Sequence, residues 1–339
     1  RASIPVMEGK AVLFKEFGDV EAWPVPLENV RVNGKYGRTS VDKVIKAVTA
    51  ISPMYGGINL EDIAAPECFE IEEKLEQSLD IPVFHDDQWG TAIIVVAATK
   101  NYCLLSNKKI ENLNIVINGA GAAGIRTADM LKESGAKDIT LVDSKGVIHQ
   151  GRQDLNMQKL GYAIKTNKRT LEDAMKGSDM FIGVSVANCV KPKMVKSMNV
   201  YPAIFAMANP TPEIMPEKVK KAMGKKPYIM ATGRSDYPNQ INNVLGFPYI
   251  FRGVLKTRAS HITISMKLAA SNALAQLARK SEGLPEEVKK AYGHDFEFGP
   301  EYIIPVPFDP RLRDYVSEAV AKAAITDGVN KLDKKKIKL

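Results

Sequence analysis

Apolar positions along this chain follow the alternation of an α/β protein. Residues 114–118 (NIVIN) predict a buried strand, 119–124 a tight glycine-rich turn, and 125–134 a helix that Gly135 stops. The next strand is predicted at 139–142 and ends in Asp143. Further strands are predicted at 180–186, 203–208 and 228–231, with helices at 171–176 and 216–223 between them. This alternation calls for a doubly wound parallel sheet, whose ligand loops lie at the strand C-termini.

Upstream, residues 40–51 place Val41, Val44, Ile45 and Val48 on one helical face, and Pro53 ends the run. Apolar stretches at 55–60 and 81–84 predict two strands, each delivering an acidic pair to a loop: Glu61-Asp62 and Asp86-Asp87. Helix formers fill 67–78, and an Ala-rich apolar helix is predicted over 90–105. The opening, 4–18, reads as a turn followed by an apolar helix or strand, and 19–31, with two prolines, as extended. The composition turns polar at Asn107-Lys108-Lys109. The expected division is therefore a partial α/β domain over 1–106, the doubly wound domain over 107–250, and a helical segment over 251–339 packing back on the first. That last segment carries helices at 264–280 and 312–324 around a Gly/Pro-rich passage at 293–310.

Composition changes the picture little. Of 339 residues, 45% are hydrophobic and 25% charged, as in ordinary globular proteins. No apolar run approaches the roughly 20 residues that span a bilayer, so no membrane partner is expected. Cys68, Cys103 and Cys189 are few, odd in number and without metal spacing, which fits free thiols in a reducing cytoplasm. No signal peptide opens the chain, which begins at Arg1 without an initiator Met. The net charge of +8 includes Lys331, Lys334, Lys335, Lys336 and Lys338 near the end, a solvated run. No aromatic-basic stripe accompanies it, so nucleic acid is not an expected partner.

Chemistry concentrates in three places. Gly119, Gly121 and Gly124, with Ala122 and Ala123 among them, lie between a predicted strand and helix, and Asp143 follows about 20 residues on. That is the dinucleotide fingerprint of a Rossmann-type domain: tight turn, close approach to pyrophosphate, helix N-terminus, and an acid for the ribose. Asp143 favours the free 2′-hydroxyl of NAD, whereas Ser144, Lys145 and nearby Arg152 suit the 2′-phosphate of NADP, and the balance leans to NADP. Ser185, Asn209 and Thr232 fall at strand ends where ligand loops are expected, although Asn209-Pro210-Thr211-Pro212 is also ordinary turn chemistry. The acidic pairs Glu61-Asp62 and Asp86-Asp87 have two readings. Oxygen ligands on separate loops suit Mg²⁺ or Mn²⁺. Acids in a first helical turn also serve as caps, and Asp87 before Gly90 fits that equally. Lys10, beside an apolar segment, would ordinarily snorkel to water. Residues 239–243, including Asn242 and Asn243, are dense in polar groups for a simple loop.

Eight segments in order resemble the malic enzyme family in its shorter bacterial and archaeal form: IPVMEGKAVLFK, GGINLEDIAAPECFEIE, PVFHDDQWGTAI, NGAGAAG, VDSKG, FAMANPTPEI, ATGRSDYPNQINNVLGFP and IFRG. The likeness runs from about residue 4 to about residue 277. It implies oxidative decarboxylation of L-malate to pyruvate and CO₂ with reduction of NADP⁺ or NAD⁺, dependent on Mg²⁺ or Mn²⁺. It further implies Glu61, Asp62 and Asp87 as metal ligands, Lys10 as general base, and Asp86 as a carboxylate orienting that lysine. Asn209 and Asn243, with Asn242 beside it, become amides holding malate or nicotinamide. A homodimer is the expected assembly. The family's general-acid tyrosine segment is not found, so an N-terminally truncated member is expected, and Trp89 stands where these enzymes usually carry His. Two rival expectations are a non-catalytic dinucleotide-binding regulatory module and another two-domain NAD(P) dehydrogenase. Neither has a use for the clustered acids and Lys10.

Overall fold

The computed structural model describes residues 3–32 and 37–337, so Arg1 and Lys338 of the expectations above lie outside it. Two compact units divide the chain. One comprises Arg1–Ile93, Asn243–Leu274 and Pro307–Leu339; the other comprises Ile94–Asn242 and Ala275–Val306. The divisions expected at 106/107 and 250/251 are found at 93/94 and 242/243, and residues after 250 are shared between the units. Two of the breaks fall inside helices, where a continuous apolar pattern gives no compositional signal.

The first unit begins with α1 (Ile4–Gly18), whose Pro5 suits the first helical turn. The turn expected in this opening is absent, because Gly9 is carried inside the helix. Next come α2 (Val41–Ile51), β1 (Ile58–Leu60), α3 (Glu67–Ser78), β2 (Val83–His85) and α4 (Asp86–Ser106). The apolar face of α2 buries Val44 and Val48 with Leu60, Ile71, Leu75 and Val83. Strands β1 and β2 pair in parallel with Leu60 opposite His85, so the next residues, Glu61 and Asp86, leave the same end of the pair side by side. Asp86 and Asp87 stand in the first turn of α4 and not on a loop, where the unbonded N–H groups and helix dipole favour carboxylates.

The second unit is built on β3 (Asn114–Asn118), α5 (Ala122–Glu133), β4 (Asp138–Asp143), β5 (Gly146–Val147), α6 (Met157–Leu160), α7 (Leu171–Met175), β6 (Met180–Gly183), α8 (Pro192–Lys196), β7 (Ala203–Ala206), α9 (Pro216–Met223) and β8 (Ile229–Thr232). Its sheet runs β5-β4-β3-β6-β7-β8, parallel except for the short β4–β5 pair. Val116, Phe181 and Ile204 from neighbouring strands anchor its core with Met175 and Val219. This is the doubly wound α/β fold expected. The strand order reverses at β3, which makes the crevice between β3 and β6 the place for a ligand.

Four helices complete the chain: α10 (Phe247–Thr257), α11 (Ile264–Ala278), α12 (Glu286–Tyr292) and α13 (Leu312–Thr326). Within the first unit α10 packs on α13 at Gly253, where a Cβ would stand 2.6 Å from the Ser317 carbonyl oxygen. Phe14 of α1 meets Phe247 and Phe251 of α10 edge-on, with ring centroids 4.8 and 5.2 Å apart. That aromatic contact fixes the helix carrying Lys10. No helix among the described residues is long and apolar enough to cross a membrane.

Candidate active site and dinucleotide crevice

In the first unit, Lys10 reaches from α1 to the acidic end of the β1–β2 pair. Its ammonium donates to Asp86 and stands 3.0 Å from Glu61, with Nζ 4.2 Å from the centre of the Phe247 ring. Asn243 also donates to Asp86, onto the oxygen that Lys10 uses. The other Asp86 oxygen, Oδ1, is buried and bonds to no protein group. Gly90, one helical turn on, leaves it room: a Cβ there would overlap this oxygen and the Asn243 side chain. Asn59 supports Glu61 through a 2.8 Å hydrogen bond. The Asp62 backbone N–H donates to Asp87 at 2.9 Å, with Asp62 held at φ +57°, a conformation Asp tolerates better than most residues. Lys10, Asn59, Glu61 and Asp62 line a cavity of about 1170 Å³, whose remaining wall is largely apolar, including Phe14, Val48 and Phe251.

Electrostatics here are tightly linked. Burial pulls the Lys10 ammonium toward the neutral form, but Asp86 and Glu61 outweigh it and hold its pKa above the ordinary value. Burial pushes the Glu61 carboxyl up to about 7; Asp86 and Asp87 add to the rise and Lys10 opposes it. Lys10 is thus a charged lysine facing the cavity wall, not one snorkelling outward. Among the described residues, no three His, Cys, Asp or Glu side chains stand together closely enough to hold a metal ion as placed. The donor set nevertheless suits a hard divalent cation: oxygen ligands only, crowded acids, and a buried Asp86 oxygen without a partner. The cation now among these acids is the Lys10 ammonium.

Trp89 lies in the first turn of α4 and is buried. Its indole N–H donates to both oxygens of buried Glu72, at 2.9 and 3.1 Å, and the Lys267 ammonium lies 3.5 Å from its ring centre. The residue that departs from the family pattern is therefore locked between an acid and a cation beside the Asp86-Asp87 turn.

The second unit presents the dinucleotide fingerprint as the sequence implies. Gly119 has φ +120°, and a Cβ there would collide with the Val184 carbonyl; a Cβ at Gly124 would collide with the Gly119 carbonyl. Gly121 caps α5, which starts at Ala122 and Ala123, three residues earlier than the apolar pattern suggests. Asp143 ends β4 and is enclosed by cations. Arg152 grips it in bidentate fashion at 2.8 and 3.0 Å, Lys159 adds a contact at 2.7 Å, and the Lys145 backbone N–H donates at 3.0 Å. Burial acts to raise its pKa, but these partners win and bring it to about 2. The Lys145 side chain turns instead to Asp154, 2.8 Å away. Ser185 accepts from Asn118 at 2.7 Å. Asn209, exposed, precedes a cis proline and packs against Gly233. Asn209 and Asn242 belong to this unit, and Asn243 to the first.

Asn59, Phe247, Gly90 and Lys159 take part in these sites without a functional expectation from the sequence. Asn59 had a signal, since two residues before Glu61 in a strand is the same face. Lys159 lies 16 residues beyond Asp143, and no local pattern joins them.

Known proteins resemble this chain over nearly its whole length. The family described as malic enzyme, NAD binding domain, matches residues 89–288, and malic enzyme, N-terminal domain, matches residues 1–76. A NADP-dependent malic enzyme of Rhizobium meliloti is 51% identical over 97% of this chain, which spans 42% of that protein's length. A bifunctional malic/malolactic enzyme of Bacillus subtilis is 47% identical over 98% of the chain and is covered to 75%. The crystal structure of malic enzyme from Pyrococcus horikoshii superposes with a TM-score of 0.85 at 40% identity, covering 99% of this chain and 74% of that one. With both family domains matched in order, and the Lys10 and glycine-turn geometry within them, the chain belongs to the malic enzyme family.

Proposed function

We propose that the protein oxidatively decarboxylates L-malate to pyruvate and CO₂, reducing NADP⁺, with a divalent cation required. The observation that carries this reading is the partly buried Lys10 ammonium held between Glu61 and Asp86 at the wall of a cavity large enough for a C4 dicarboxylate. Lys10 is the general base for the C2 hydroxyl, and Asp86 and Asn243 orient its amine. Phe247 beneath the amine keeps water from one side of it. Lys10 takes the C2 hydroxyl proton, and a bound nicotinamide would accept the C2 hydride as C2 becomes a carbonyl. Loss of CO₂ then leaves an enolate that is protonated at C3 to give pyruvate. Glu61, Asp62 and Asp87 are the residues that would hold Mg²⁺ or Mn²⁺. Bound there, the ion would supply Lewis acidity to the substrate and offset the acids' charge.

The cations around Asp143 support NADP over NAD. A carboxylate already saturated by Arg152 and Lys159 has little capacity left for a ribose hydroxyl, and the two cations suit a phosphate. Asn209 and Asn243 are assigned to nicotinamide or malate through their amides, with Asn242 beside them. A homodimer in the cytoplasm completes the reading, consistent with three free cysteines. The direct test supplies L-malate, Mn²⁺ and NADP⁺ and follows NADPH and pyruvate together. Equal amounts of both, absent without malate, are expected; NADPH formed without malate, or no malate-dependent reduction, contradicts the proposal.

A further inference from the structure

Glu213 is fully buried, lies outside every assigned role, and touches two of the loops that border the β3–β6 crevice. Its Oε1 accepts the Ser185 backbone N–H at 2.9 Å and the Ser185 hydroxyl at 3.4 Å, and its Oε2 accepts the Ala208 backbone N–H at 3.0 Å. Ser185 follows β6, and Ala208 follows β7 just before Asn209. The Ser185 hydroxyl in turn accepts from Asn118, the last residue of β3. One carboxylate thereby ties together the C-terminal ends of three adjacent strands. Backbone bonds reinforce the tie: Asn188 donates to the Pro212 carbonyl and Val190 to that of Glu213, each at 3.0 Å. Gly183 makes room for the carboxylate, because a Cβ there would overlap it.

We propose that Glu213 is a positioning residue for the nicotinamide half of the dinucleotide, setting the spacing of the Ser185 and Asn209 loops. The inference rests on the dinucleotide reading of this unit. In a doubly wound sheet the pyrophosphate sits at the glycine turn after β3, and the adenosine ribose at the acid ending β4. Strands β6 and β7 lie on the other side of β3, so their loops serve the nicotinamide end. The two N–H groups and the hydroxyl converge as donors, and a carboxylate answers all three with two acceptor oxygens. A Gln side chain keeps the shape but turns an NH₂ donor against one of those N–H groups.

The test titrates the full chain and Glu213→Gln with NADP⁺ and, separately, with 2′,5′-ADP, which lacks the nicotinamide half. Expected is a loss of about tenfold or more in NADP⁺ affinity, the scale of a charged hydrogen bond. Affinity for 2′,5′-ADP should stay within about twofold. Equal weakening of both ligands means a purely structural Glu213 and overturns the proposal, as does no weakening of either. Should the wild-type chain bind neither ligand, the dinucleotide reading itself fails, a result distinct from both. If Glu213→Gln does not fold, Glu213→Asp, which keeps the charge but withdraws it by one methylene, is read in the same way.

Discussion

At the scale of single residues, the chemistry depends on how many charges share one small volume. Lys10 is stabilised as a cation by Asp86 and Glu61, yet a base must give up that proton before it can take another. The same acids that position the amine therefore oppose its neutral form, and a divalent ion among them would relieve that opposition. Glu61 shows the strain from the other side. Its pKa rises from an ordinary 4.5 to about 7, so the folded state holds the proton more tightly than the unfolded chain. Ionising Glu61 thus costs stability, beginning above 4.5 and complete once the pH passes about 7. In metal-free buffer, the thermal midpoint should fall between about pH 5 and pH 8 more steeply in the wild type than in Glu61→Gln. Parallel curves for the two proteins would remove Glu61 as the titrating group. Lys10 contributes no slope in that window, because its raised pKa keeps its contribution in place until the pH exceeds its ordinary 10.5.

Among elements, most of the second unit was readable from periodicity and glycine placement. The strand at 114–118 and the helices at 67–78 and 216–223 match the structure to the residue. What escaped the pattern is instructive. Helix α4 starts at Asp86, four residues before the apolar run, because carboxylates stabilise a helix start that hydrophobicity cannot register. Helix α10 lies outside the sequence reading: it opens with Phe247-Pro248 and is buried at most positions, and only Arg252 and Lys256, four apart, mark a polar side. The meeting of Glu61 with Asp86 depends on β1–β2 register, which no local signal sets. Phe251 of α10 contacts Phe14 and Phe84, with ring centroids 5.2 and 6.0 Å apart, joining α10 to α1 and β2. Phe251→Ala should cost about 3–5 kcal/mol in denaturant unfolding. It should also weaken malate turnover, since Lys10 rides on α1. A loss below about 1 kcal/mol would show that α1 is held some other way.

For the molecule as a whole, the family likeness and the two matched domains frame the proposed activity, while this chain spans 42% of its Rhizobium relative's length. Cofactor choice is the property that the sequence left most open. Asp143 alone favours NAD, the nearby Ser144, Lys145 and Arg152 tip the sequence reading to NADP, and the structure adds Lys159 to the cations around Asp143. Lys159→Ala should weaken NADP⁺ binding about tenfold by calorimetry and NAD⁺ binding by less than about threefold. Equal effects on the two would assign Lys159 to holding Asp143 and nothing more.

The proposed chemistry depends most directly on Lys10. With L-malate, Mn²⁺ and NADP⁺ supplied, the rate of NADPH formation by Lys10→Ala should fall by about 10²–10⁴-fold, while the affinity for NADP⁺ stays within about twofold of the wild type. A variant that retains more than about a third of the wild-type rate would contradict the assignment of Lys10, and with it the mechanism built on that residue.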